Sequence, residues 1–174
     1  ILYLDGKEVC RRENIVIKGM HNVENFLAAF EATRDDVDNS TMRRVAETFQ
    51  GVEHRCEFVR EYNGVKVYND SKATNTDASI IALKAFKQPV ILLMGGFDKG
   101  LDLQEMSTYN SCIKKLVTFG AAGKRFKEDM HHQDAYYEET LKDAVNKAFE
   151  ISEPGDIILL SPSTSSFDEF KGYE

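Results

Sequence analysis

Val90-Ile-Leu-Leu-Met-Gly-Gly-Phe-Asp-Lys-Gly100 opens as an unbroken apolar run and stops on a pair of glycines. A run this short, aliphatic throughout and closed by turn residues, reads as a strand buried on both faces. Three other runs follow the same pattern: Val65-Lys-Val-Tyr68, Leu116-Val-Thr-Phe119 and Ile157-Ile-Leu-Leu160. Ala135-Tyr-Tyr137 is a candidate for one more strand. Amphipathic stretches at 78–86, 106–114, 124–130 and 141–149 lie between them and carry helical spacing. Strands alternating with helices predict right-handed βαβ units: an α/β, Rossmann-like, mostly parallel sheet with helices on both faces.

Towards the N-terminus the pattern changes. Leu2-Tyr-Leu-Asp-Gly-Lys-Glu-Val9 alternates around an Asp-Gly pair, which signals a hairpin. Ile15-Val-Ile17 is a further strand candidate. Val23, Phe26, Leu27, Ala28 and Phe30 fall at helical spacing, and Met42, Val45, Ala46 and Phe49 mark a second helix. Residues 1–50 thus read as a small α+β piece with too few apolar positions for a core of its own.

Composition narrows the function classes. With 42% hydrophobic and 29% charged residues the chain has a globular profile, and no apolar run approaches the ~20 residues of a membrane span. A net charge of -7 disfavours nucleic acid or an anionic membrane as main partner. Cys10, Cys56 and Cys112 stand in no metal-binding spacing, which argues against structural zinc and fits a reducing compartment. Ile1 to Lys7 reads as strand and turn rather than as a signal peptide. The absence of an initial Met and the ending at Gly172-Tyr173-Glu174, in helical-looking sequence, lead to the expectation that both ends are cut.

In an open parallel sheet, ligands bind beyond the carboxyl ends of the strands. Three polar segments leave those ends: Asn69-Asp-Ser-Lys-Ala-Thr-Asn75, Gly95-Gly-Phe-Asp-Lys-Gly100 and Ser161-Pro-Ser-Thr-Ser-Ser166. Lys72 and Lys99 bring positive charge, and Thr74, Ser165 and Ser166 bring hydroxyl donors. Helices expected to start near Asp77 and Ser165 would add backbone N–H groups. The set suits an anion with more than one carboxylate or phosphate. Each segment also has an ordinary structural reading, as turn or N-cap chemistry, a tight βα turn, or a loop ending in a cap. Their convergence on one sheet edge favours a site. The paired acidic residues and His131-His132 read as solvated surface, and no nucleophile triad emerges.

The same strings resemble motifs of the Mur ligase superfamily. Asn69-Asp-Ser-Lys-Ala-Thr-Asn75, preceded by His54-Arg-Cys-Glu57, is similar to the segment that singles out its D-glutamate-adding members. Gly19-Met-His-Asn-Val-Glu-Asn25 resembles the G-x-H-N-x-x-N motif shared with folylpolyglutamate synthases. Gly95-Gly-Phe-Asp-Lys99, and Ser161-Pro with Ser166-Phe-Asp168, fall where later motifs of those ligases stand. The resemblance spans essentially the whole chain. It implies that residues 1–50 are the end of a central ATP-binding domain. Residues 51–174 would be a C-terminal Rossmann-like domain that receives the amino acid, its last helix cut short.

Roles follow residue by residue from that resemblance. Asn22, Asn25, His54, Arg55 and Asp70 match positions near the adenine and ribose of ATP. Lys72 matches a catalytic position facing the phosphates or the product. Thr74 and Lys99 match positions that hold the α-carboxylate of D-glutamate. Ser166 and Tyr173, with Phe167 beside Ser166, match those around its side-chain carboxylate. No residue is implied as a metal ligand. The implied reaction activates UDP-N-acetylmuramoyl-L-alanine as an acyl phosphate with ATP and Mg2+, for attack by the amine of D-glutamate in peptidoglycan synthesis. The implied partners are those substrates and the N-terminal and central domains of a longer protein in the bacterial cytoplasm. The sequence holds no GxxxxGK[ST] loop, so the chain alone is not expected to bind a cofactor tightly or to catalyse ligation. Two departures stand out: Ser163-Thr-Ser165 replaces a stretch often rich in Ala and Cys, and Tyr173 replaces a frequent Phe. Two alternatives stay open, a superfamily ligase for another amino acid or a folate, and a non-catalytic α/β interaction module.

Overall fold

A computed structural model describes residues 1–17 and 19–169. The chain divides into two compact units, residues 1–52 and 53–174. In the first, β1 (Leu2–Leu4) and β2 (Lys7–Cys10) form an antiparallel hairpin. Asp5 and Gly6 turn it with φ of 48° and 74°, both left-handed, as the tight hairpin turn requires. Helix α1 (Met20–Thr33) buries Val23, Phe26 and Phe30 along one stripe, and α2 (Asn39–Thr48) buries Met42 and Ala46. Asp38 caps α2 by accepting from the backbone N–H groups of Ser40 and Thr41 at 2.8 and 3.0 Å. The Ser40 hydroxyl first, then the Thr41 N–H and hydroxyl, hold its carboxyl down at about 2.

Two expectations for this unit are corrected. It does have a core: Leu2, Val9, Cys10 and Ile15 pack with the buried faces of both helices. Hairpin and helices each contribute a few apolar positions, and only their summation makes a cluster. Ile15–Ile17 is not a strand. A 3-10 turn at Arg12–Asn14 precedes it, and the Val16 N–H donates to Ala46 O at 3.4 Å instead of to a strand partner.

The second unit begins with β3 (Glu57–Tyr62), β4 (Val65–Asn69), α3 (Thr76–Lys84) and β5 (Val90–Gly95). It continues with α4 (Gln104–Ser107), β6 (Ile113–Phe119), α5 (Gly123–Asp129) and β7 (Ala135–Glu138). Helix α6 (Leu141–Glu150) and β8 (Ile157–Leu160) follow. The strands form one sheet in the order β3-β4-β8-β5-β6-β7, parallel except for the antiparallel β3–β4 pair. Alternation along β5 shows the two covered faces. Val90, Leu92 and Met94 pack with α3, α4 and α5, while Ile91 and Leu93 pack with α6. The Rossmann-like α/β expectation holds. None of the described helices is long and apolar enough to cross a membrane.

Three local readings change. The stretch 106–114 holds the end of the four-residue helix α4, a 3-10 turn at Asn110–Cys112, and the first residues of β6. Met106, Tyr109 and Cys112 imitate helical spacing, but Ile113 pairs with Val90 and must extend. Strand β3 was not anticipated, because its side chains are almost all exposed and only its hydrogen bonds to β4 define it. His132 is half-buried rather than a surface residue: Nε2 lies 3.0 Å from Ile113 O, and Nδ1 accepts from the Asp134 N–H at 3.2 Å.

Candidate functional site

Strand β8 sits between β4 and β5, although it is the last in sequence among the described residues. The loops leaving β4, β5 and β8 therefore meet at one carboxyl edge, where an open α/β sheet binds its ligands. A cavity of about 530 Å3 lies there. His54, Asn69, Ser71 and Thr74 line it from the β4 side, Lys99 from the loop after β5, and Pro162 with Thr164 to Phe167 from the loop after β8. Phe119, Leu141 and Leu160 give it an apolar wall.

The sequence dictates how closely those loops approach. Gly95 has a φ of 149°, and a Cβ there would lie 2.0 Å from Phe119 O. A Cβ on Gly96, at φ 126°, would lie 2.5 Å from Ser165 O. The glycine pair thus lets the end of β5 press against both the end of β6 and the β8 loop. Hydrogen bonds then tie that loop down: Gly95 N–H to Pro162 O (3.0 Å), Phe97 N–H to Ser165 O (2.7 Å) and Thr164 Oγ1 to Phe97 O (2.7 Å).

Beneath the loop lies a buried chain of hydroxyls. Ser163 donates to Ser79 at 2.8 Å, Ser79 and Ser161 are 2.8 Å apart, and Ser161 donates to Asp70 Oδ2 at 2.9 Å. Each hydroxyl has one proton, so the order that satisfies all four residues ends on the carboxylate. The other oxygen, Asp70 Oδ1, accepts from the Cys56 N–H at 3.0 Å. Burial pushes the Asp70 carboxyl above its ordinary value, against the opposing pull of Ser161, the Cys56 N–H and the Arg55 charge. Burial, then the Asp70 charge, pushes the Cys56 thiol up to about 12, so it stays protonated.

The loop carrying Lys99 is held from outside the sheet. Arg125 on α5 grips Asp98 through both carboxylate oxygens, at 2.6 and 3.0 Å. It also donates to Leu101 O and to Asp129 Oδ2, each at 2.8 Å. Asp98 Oδ1 further accepts from the Gly100 N–H at 2.8 Å, closing a turn around Lys99. Arg125 first, then the Gly100 N–H, hold the Asp98 carboxyl down at about 2. A depressed carboxylate supports the fold above its unfolded pKa of about 3.9 and loses that support as pH falls towards the folded value. A carbon-13 NMR titration of the Asp98 carboxyl is therefore expected to show a midpoint near 2. In Arg125→Ala the midpoint should rise towards the ordinary value; an unchanged midpoint would mean that Arg125 does not hold the loop.

The expected site residues fare differently. His54, Thr74, Lys99, Ser166 and Phe167 come together in the cavity wall. Asn69 Nδ2 lies 3.0 Å from His54 Nδ1, and Lys72 N–H donates to His54 O at 3.1 Å, so the β4 loop sets the imidazole in place. Lys72 is half-buried and is not part of the wall. Asp70 points inwards, Arg55 is exposed, and neither lines the cavity. Asn22 is half-buried and Asn25 exposed on α1, in the other unit. Tyr173 lies outside the described residues.

Asn75, read as a cap, does cap α3: its Oδ1 accepts from the Ala78 N–H at 2.8 Å. The helix expected from Ser165 is replaced, over the described residues, by a turn in which Glu169 N–H donates to Ser166 O. Asp168 Oδ2 accepts from the Ala121 N–H and Glu169 Oε2 from the Leu141 N–H, fastening this turn to the loop after β6 and to the start of α6. Leu141 and Phe119 were missed as wall residues. Nothing in their own sequence neighbourhood marks them: Phe119 ends β6 and Leu141 opens α6, and only the tertiary fold brings them to the cavity.

A family model described as the Mur ligase glutamate ligase domain matches residues 54–164. The UDP-N-acetylmuramoylalanine--D-glutamate ligase of Clostridium perfringens is 51% identical over 99% of this chain, and that of Clostridium botulinum is 49% identical over 99%. The chain spans 40% of the length of each. Among solved structures, the UDP-N-acetylmuramate-alanine ligase MurC of Thermotoga maritima superposes with a TM-score of 0.68 at 20% identity, covering 84% of this chain and 35% of that one. MurF of Acinetobacter baumannii gives 0.63 at 18%, covering 87% and 36%. At such identities the structures speak for the fold, while the family match and the close relatives speak for descent. The chain belongs to the Mur ligase family and carries its glutamate ligase domain.

Proposed function

We propose that this chain is the amino-acid-receiving part of an ATP-dependent ligase that adds D-glutamate to UDP-N-acetylmuramoyl-L-alanine in cytoplasmic peptidoglycan synthesis. Residues 1–50 are read as the end of the central ATP-binding domain and residues 51–174 as the C-terminal domain. The observation that carries the reading is the cavity. Thr74, Lys99, Ser166 and Phe167, picked out from three separate stretches of sequence, line one concavity at the carboxyl edge. The similarity to the D-glutamate ligases of the two Clostridium species supports the choice of amino acid.

The chemistry asked of this part is modest. The Lys99 ammonium and the Thr74 hydroxyl hold the α-carboxylate, and Ser166 holds the side-chain carboxylate, with Tyr173 assigned to the same end. The amine is left free to attack the acyl phosphate carbonyl, forming the C–N bond as phosphate leaves. Fixing the amine's position turns a bimolecular encounter into a local one. ATP, bound in the longer protein, supplies the phosphoryl group that activates the carboxylate. His54 fits a nucleotide contact, being in the wall with its ring held by Asn69. Asp70 fits poorly, because both its oxygens are engaged inside the fold. The described residues gather no ligand set for Mg2+, and no role given to this chain involves one. By itself the chain is expected to bind and orient, not to ligate.

An NMR titration of the chain with D-glutamate, using L-glutamate as control, tests the reading. The expected result is weak binding that favours the D-enantiomer and shifts the amides around Thr74, Lys99 and Ser166. Lys99→Ala should weaken it by about 30-fold, the scale of a hydrogen bond to a charged group. Equal response to both enantiomers, or none at all, would sink the assignment.

A further inference from the structure

Lys99 brings its charge to the cavity from a loop that also carries two acids, Asp98 and Asp102. The loop is fixed at one end by Phe97, bonded to the loop after β8, and at the other by Leu103, buried in the core. Asp98, Lys99 and Gly100 between them are exposed. A flexible ammonium beside a carboxylate in the same turn would pair with it, and a ligand carboxylate would then have to compete. Yet Lys99 forms no ion pair among the described residues. Both acids are engaged elsewhere. Asp102 Oδ1 accepts from the Gln104 N–H at 2.8 Å. Asp98 gives both oxygens to Arg125, and Oδ1 also to the Gly100 N–H.

Arg125 is suited to this by its place and its shape. The Ala122 N–H donates to Gly96 O at 2.8 Å, so α5 starts against the end of β5 and brings Arg125 to the loop. Its planar fork makes two bonds to Asp98, and Nη1 reaches Leu101 O, so one guanidinium holds the chain on both sides of Lys99. Asp129 Oδ2 accepts from the same Nη1 and steadies the fork from within α5. Arg125 does not line the cavity. We propose that it is a positioning residue for binding of the acidic amino acid. It fixes the turn that carries Lys99 and withholds the Asp98 carboxylate from the ammonium, leaving that charge to the ligand's carboxylate. The inference rests on the amino-acid-binding reading of this cavity.

The test is an NMR titration of the chain with D-glutamate in Arg125→Ala and in the double variant Arg125→Ala/Asp98→Asn, with Lys99→Ala as reference. Arg125→Ala is expected to bind about tenfold more weakly, because the released Asp98 carboxylate competes for Lys99. The double variant should recover most of that loss, since an amide at position 98 keeps an acceptor for the Gly100 N–H but has no charge to pair with Lys99. A merely structural Arg125 gives the opposite result: the double variant, lacking both ends of the ion pair, binds no better than Arg125→Ala. That outcome, or parent-like binding by Arg125→Ala while Lys99→Ala still loses it, would overturn the role of Arg125 and leave the cavity reading intact. Absence of D-glutamate binding by the parent chain would overturn both together.

Discussion

Gly95→Ala is expected to destabilise the second unit by at least about 4 kcal/mol, a size reserved for backbone clashes and large core defects. The added Cβ would meet Phe119 O at 2.0 Å and Phe119 N at 2.7 Å. Those are backbone atoms of the adjacent strand, paired with Gly95 itself in the β5–β6 register, so no side chain can swing aside. Relief requires the carboxyl ends of β5 and β6 to part, and the β8 loop bonded to Gly95 and Phe97 would move with them. Gly100→Ala is the control. It also has a positive φ (68°), but no atom lies within 4 Å of its Cβ, leaving only the left-handed cost of about 1–2 kcal/mol. Hydrogen exchange of β5 and β6 amides under increasing urea reads the second unit separately from the first. A Gly95→Ala variant within 1 kcal/mol of Gly100→Ala on that scale would show that the strand ends are loosely packed.

Asp70→Ala is expected to cost about 3 kcal/mol, because it strands two buried donors, the Ser161 hydroxyl and the Cys56 N–H. The hydroxyl chain through Ser79 to Ser163 would lose its terminal acceptor, and with it the anchor of the β8 loop. The effect should depend on pH with a definite sign. A carboxyl whose folded pKa is raised stabilises fully below its unfolded value and loses that support as pH rises through the folded one. The gap in urea stability between parent and variant should therefore widen as pH falls from neutral into the acid range. A gap that narrows instead would mean that salt-bridge-like support, not burial, governs Asp70. A stability loss of this size also bears on function: lost nucleotide binding in an Asp70 variant would not by itself make Asp70 a nucleotide contact.

The misreadings share a cause. Strand β3 escaped notice because Phe58 and Val59 are exposed side by side, and pairing with β4 rather than burial makes them a strand. The false helix over 106–114 came from apolar residues three apart: Met106 belongs to a short helix, Tyr109 and Cys112 to the start and end of a 3-10 turn, and the strand begins just after. The core of the first unit was missed because its apolar residues are scattered over a hairpin and two helices. In each case a local pattern was ambiguous, and a partner distant in sequence decided it.

By itself, the sequence determined the α/β class, the four central strands and the three polar segments that leave their carboxyl ends. These are local matters of burial period and turn chemistry, carried by runs such as Val90 to Met94 and breaks such as Gly95-Gly96. Only the tertiary structure decided which of the polar residues face a ligand. Asp70 and Ser71 are neighbours in sequence, yet Asp70 is consumed by a buried hydroxyl chain while Ser71 is one of the residues lining the cavity. Ser163 and Ser165 part in the same way, Ser163 joining the hydroxyl chain and Ser165 lining the cavity. Composition and spacing cannot separate them, because a hydroxyl's role depends on which strand lies alongside. That is settled here by the insertion of β8 between β4 and β5 and by the close approach that two glycines permit.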